Sequence, residues 1–162
     1  MAEFDSLQVV NWFRAKNVAD MRSNIMVEPL TQMKVMKLMY YAQGIMLAAY
    51  DKKLFSDDIV AWKYGPVVKK VHETYKGFRE IVSLDDDDEF PVSEDVLNDF
   101  DLVTKDQDAL IVLETVMEEY GDKSAIELMN MTHNEAPWKN TEQSTVMSID
   151  SIKEYFKENI LA

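Results

Sequence analysis

The chain has 162 residues, 47% of them apolar and 29% charged, which is the balance of one globular domain and excludes wholesale disorder. It contains no cysteine, which excludes disulfide scaffolds, thiol catalysis and zinc ribbons and fits a reducing compartment. Its net charge of −13 opposes unspecific binding to phosphate backbones.

The chain predicts helices for most of its length. Asp5 or Ser6 caps a first helix with Leu7, Val10 and Phe13 on its apolar side. Asn17 and Asn24 fall in a connection that ends at Pro29. Thr31 then caps the clearest element of the sequence. Val35, Leu38, Met39, Ala42, Ile45, Met46 and Ala49 form one stripe at helical spacing, and Met33, Met36, Tyr40, Leu47 and Tyr50 form a second. A helix apolar on most sides belongs at the centre of a fold. Its methionines read as core filler. Lys34, Lys37 and Tyr41 are left as a polar strip. Either a groove floor for a partner helix or a buried hydrogen-bond strip explains them.

Leu54 to Tyr64 favours extended backbone and reads as a short hairpin or crossing. Gly65-Pro66 reads as a helix start, because proline at the first helical position needs no N–H. Val67, Val68, Val71 and Tyr75 supply that helix with an apolar side. The next segment changes character. Residues 77–119 hold 2 basic and 15 acidic side chains, against 11 and 8 in residues 1–76. The acidity centres on Asp85, Asp86, Asp87, Asp88 and Glu89 and continues through Glu94, Asp95 and Asp99. Such a run repels itself and stays solvated. It is a solubility patch or a docking surface for a basic partner.

Ser93 starts a short helix reaching about Phe100. Thr104 and Gln107 form a capping box before a helix bearing Ala109, Leu110, Leu113, Val116, Met117 and Tyr120, which stops at Gly121. Ser124 and Glu127 form another box, for a helix through His133. Ser148 caps a last helix that turns Ile149, Ile152, Phe156 and Ile160 inward. Together these predict a mainly α fold: one compact domain over residues 1–162, with about seven helices around a central hydrophobic helix and at most a short β-hairpin.

No catalytic constellation is present. His72 and His133 stand on different predicted helices with no second ligand at metal spacing. The four glycines are isolated and cannot form a phosphate loop. Neither a signal peptide nor a spanning stretch is visible, so a cytoplasmic protein without cofactor, metal or membrane contact is expected.

Four segments carry a resemblance. The first runs from Leu30-Thr31 through Lys34, Lys37-Leu38 and Tyr40-Tyr41-Ala42-Gln43. The second is Ala61-Trp62-Lys63-Tyr64-Gly65-Pro66-Val67, followed by Tyr75. The third is Tyr120-Gly121, Leu128, then Thr132-His133 and Pro137-Trp138. The fourth is Ile152 with Tyr155-Phe156. In this order and spacing, over residues 4–158, the chain resembles the Panacea antitoxin-domain family, which is associated with prophages and mobile elements. The resemblance implies a helical antitoxin, not an enzyme, that neutralises a cognate toxin by direct binding and active-site occlusion. Toxins in the family are unrelated in fold and include enzymes like small alarmone synthetases. One branch implies the alternative, a proteolytic adaptor delivering the toxin to a protease.

The implied partner is a protein with a basic nucleotide- or tRNA-binding surface, with no direct nucleic-acid contact. A homo-oligomer within the complex stays open. Partner contacts are expected at the acidic residues 85–89, Glu94, Asp95 and Asp99, or at Lys34, Lys37 and Tyr41. Tyr40, Gln43, Trp62, Gly65, Pro66, His133, Pro137 and Trp138 are expected to be structural. Large aromatics such as Trp62, Tyr64 and Trp138 should be buried or half-buried.

Overall fold

In the computed structural model, residues 3–85 and 88–161 are described. Helix α1 spans Ser6–Ser23 and opens with a reciprocal box: the Asp5 carboxylate accepts from the helix N–H groups, and Gln8 reaches back to the Asp5 N–H. The helix continues through Asn17, where a connection was expected. The Asn17 carboxamide explains this. Its oxygen accepts the Leu30 N–H at 2.9 Å and its nitrogen donates to the Glu28 carbonyl at 3.0 Å. The residue pins the returning chain from inside the helix rather than breaking it.

Helix α2, Gln32–Tyr50, is capped by Thr31 as the sequence predicts. Val35 to Leu47 are thirteen consecutive buried residues, so every face of the helix is covered. Elements packed against it include α1 and, as the chain continues, a hairpin and four further helices. Ala49 is exposed, because the last turn of α2 emerges from the core before Asp51 ends it in the left-handed conformation (φ 55°). The extended segment after it is bridged on one side by Phe4, whose N–H donates to the Leu54 carbonyl at 2.9 Å and whose carbonyl accepts the Ser56 N–H at 3.1 Å, while the Leu54 N–H and the Phe55 carbonyl need another partner. Gln43 takes that role: its oxygen accepts the Leu54 N–H at 2.7 Å and its nitrogen donates to the Phe55 carbonyl at 2.8 Å. A buried amide on an apolar helix thus satisfies backbone groups that would otherwise be orphaned.

Strands β1 (Val60–Trp62) and β2 (Gly65–Val67) form an antiparallel hairpin with Val60 opposite Val67 and Trp62 opposite Gly65. Gly65-Pro66 therefore lies in a strand and does not start a helix. Gly65 has φ 119°, which suits glycine and is foreign to a helix start. Helix α3 begins later, at Lys69–Thr74, after Val68. The outer edge of β1 is covered by the 144–147 segment, where the Ala61 N–H donates to the Thr145 carbonyl and the Met147 N–H to the Ile59 carbonyl.

Helix α4 (Glu94–Thr104) packs along α1. Trp12 stacks on Phe100 and its indole N–H donates to the Thr104 hydroxyl at 3.0 Å. Thr104 is consequently the end of α4 and not a cap. Asp106 caps α5 (Gln107–Tyr120) instead. The Ser124–Glu127 box opens α6 (Ala125–His133) as expected. A short α7 (Ala136–Lys139) follows, unforeseen in the sequence, and α8 (Ile149–Asn159) is capped by Ser148. Among the described residues there are eight helices and one hairpin around a shared hydrophobic core. No described helix is long and apolar enough to cross a membrane.

Helix α8 crosses α2 at Gly44. A β-carbon there would stand 2.4 Å from the Phe156 ring, so only glycine permits this approach. Leu38, 1% exposed, lies in the same fully packed helix. Leu38→Ala should cost about 2–5 kcal/mol through the cavity it leaves. Chemical denaturation measures this, and a loss well under 1 kcal/mol is incompatible with a central α2.

Candidate binding sites

Polar chemistry inside the domain gathers on one carboxylate. Glu135, between α6 and α7, is 6% exposed. Its Oε1 accepts the Tyr40 hydroxyl at 2.9 Å and its Oε2 the Tyr41 hydroxyl at 2.8 Å. The Tyr41 ring stacks on Tyr120 at 4.1 Å, and Tyr40 meets Phe156 edge-on. Burial raises the Glu135 carboxyl above its ordinary range, against the two phenol hydrogen bonds, which lower it. Burial also raises both phenols, and the neighbouring carboxylate raises them further, so they stay protonated donors. Tyr120 is pushed up to about 12 for the same reasons. Tyr41 is thus fully buried within a hydrogen-bond network rather than on a groove floor. Nothing singled out Glu135 in the sequence.

The two lysines of the strip have different fates. Lys34 donates to the Gly121 carbonyl at 2.6 Å, closing the C-terminal end of α5. Lys37 is 2% exposed. Its ammonium reaches the Met33 carbonyl only at 3.4 Å and forms no ion pair among the described residues. Burial alone lowers its pKa to about 8. Lys37 forms part of the wall of a cleft of about 620 Å³ between the start of α2, the hairpin and residues 78–79 and 143–144.

The described residues of the acidic run, Asp85, Asp88 and Glu89, lie on a loop. The neck is closed where the Ser83 N–H donates to the Phe90 carbonyl at 2.8 Å. Arg14, 6% exposed, anchors it: Nε donates to the Ile81 carbonyl at 2.7 Å and Nη2 to the Phe90 and Pro91 carbonyls. Asp85, Asp88 and Glu89 are exposed, while Asp86 and Asp87 lie outside the described residues. Glu94 and Asp95 are exposed in the first turn of α4, where the helix dipole favours them. Asp99 is half-buried and accepts the Asn11 amide at 2.7 Å. Leu84, Leu97 and Leu102 are exposed on this loop and helix.

The remaining residues expected to be structural tie elements together. The Trp138 indole N–H donates to the Trp62 carbonyl at 2.8 Å, and the Trp138 ring stacks on His133. Both tryptophans are half-buried and Pro137 is buried. Tyr64, in contrast, is 55% exposed at the hairpin turn. The Thr132 hydroxyl donates to the Met129 carbonyl of its own helix.

Fold and sites define a mainly helical domain whose buried polar groups hold elements together and whose surface offers an acidic loop and a cleft walled in part by Lys37. The chain belongs to the family of SocA-like antitoxins with the Panacea domain, matching it over residues 35–139, from α2 through α7. It is similar to Antitoxin SocA of Caulobacter vibrioides (strain NA1000 / CB15N), 27% identical over 116 residues. That match covers 68% of this chain and 58% of the relative's length. No solved structure matches the chain.

Proposed function

We propose that the chain is an antitoxin that binds a cognate protein toxin directly and covers its active site. Family membership carries this reading. In it the chain works in the cytoplasm by binding and not by catalysis, and touches neither nucleic acid nor membrane. The toxin offers a basic surface for a nucleotide or tRNA, as an enzyme like a small alarmone synthetase would. The docking face is the acidic loop with Glu94, Asp95 and Asp99 behind it. Its charge suits a phosphate-binding surface, and the exposed leucines supply apolar contact.

Co-expression with the neighbouring reading frame tests the function: growth is rescued while toxin levels stay constant. Rescue that requires a protease and removes the toxin establishes the adaptor instead. Converting Asp85 through Asp88 to Asn should lower the association rate about tenfold at low salt and flatten its salt dependence. Circular dichroism of the variant should be unchanged, since a run of like charges repels itself and stays solvated. An unchanged rate removes the loop from the interface.

A further inference from the structure

We propose that the cleft beside Lys37 binds a small monocarboxylic acid with an aromatic or aliphatic body. Its volume of about 620 Å³ is far larger than a bare anion and falls in the range of small-molecule sites. Met33, Met36, Trp62 and Phe78 contribute apolar and aromatic walls, and among the described residues no aspartate or glutamate lines it. That is notable in a chain with 30 acidic side chains. Gln143 and Ser144 add uncharged polar groups.

The cations along the cleft are not equivalent. Arg79 is exposed and turned to Glu80 at 3.6 Å, and Lys63 lies over the Tyr64 ring on the surface. Lys37 alone is deep. A buried ammonium without a counter-charge destabilises the free domain. A ligand carboxylate removes that cost, and a single buried charge matches a monoanion better than a doubly charged phosphate. Gly65 makes room for the ammonium: a β-carbon at this position would stand 3.3 Å from Lys37 Cε and 3.4 Å from Nζ. The apolar walls then supply the binding energy that one charge pair does not.

Calorimetric titration of the whole chain with indole-3-acetate and octanoate, each against its amide, tests the site. Saturable millimolar or tighter binding is expected, with acid favoured over amide by about tenfold or more. Lys37→Met keeps the stem and should erase this preference while raising the melting temperature of the free chain. In the unsubstituted chain the Trp62 indole N–H resonance should shift with the acid, a readout independent of how the variant folds. Absence of saturable binding by both acids, equal binding of acid and amide, or a preference that survives Lys37→Met overturns the proposal.

Discussion

Glu135→Ala should destabilise the domain by about 3–6 kcal/mol, read from urea denaturation at neutral pH. Two buried phenol hydroxyls lose their acceptor at once, and a cavity opens between α2 and the α6–α7 junction. Each unsatisfied hydroxyl costs about 1–3 kcal/mol. The background decides whether this interpretation holds. With Tyr40→Phe and Tyr41→Phe already in place, the carboxylate has no phenol donors, and removing it should be neutral or stabilising. Equal losses in both backgrounds would place the cost in packing and not in the hydrogen bonds.

The same carboxyl gives the domain an unusual pH slope. Most structural carboxylates have lowered pKa values and stabilise the fold as pH rises. Glu135 is raised in the folded chain, with burial as the larger cause. Its ionisation therefore costs nothing below its unfolded pKa and imposes the full cost above the raised folded value. Between the two the folded chain holds more protons, so this group's contribution to stability falls as pH increases. Glu135→Gln keeps one acceptor and removes the titration. It should lose less stability than alanine and abolish this part of the slope, which denaturation across the mildly acidic range detects.

What the sequence reveals and what it hides follow one division. Thr31 and the stripes of α2, the Ser124–Glu127 box and the Ser148 cap are local signals, and the helices stand where those signals put them. The fold departs from local signals where a distant partner outweighs a local preference. Pro66 suits a helix start, but Ala61 pairs with it across the hairpin. Thr104 suits a cap, but the Trp12 indole, 92 positions away, engages it at the end of α4. Glu135 and its phenols are 94 and 95 residues apart, so no spacing rule connects them. The available signal was different in kind. Two tyrosines inside an apolar helix need acceptors once buried, and one carboxylate with two oxygens meets that need. Lys37 was visible as an odd cation on α2, but its depth depends on how the hairpin folds over it.

Arg14 lies behind the acidic loop and was invisible for the same reason: besides the nearby Asn11 side chain, its acceptors are the distant backbone carbonyls of residues 81, 90 and 91. Arg14→Met should cost about 3–6 kcal/mol, since three carbonyls lose charge-assisted donors and the side chain's place over the Tyr75 ring is lost. Much of that loss should be local, appearing as faster amide exchange at Ser83 and Phe90, whose N–H groups close the loop neck, than in α2. For toxin binding, the expected effect is opposite in kind to that of the Asp-to-Asn variant. The loop's charges remain, so long-range attraction and the association rate should change little. The loop is no longer held in shape, so ordering it becomes part of binding and dissociation should accelerate about tenfold. Arg14→Lys, with one ammonium in place of the fork, should fall between the two chains. Loosened exchange at the neck with an unchanged dissociation rate would show that the toxin does not read the loop's shape, leaving its charge alone as the contribution to the encounter.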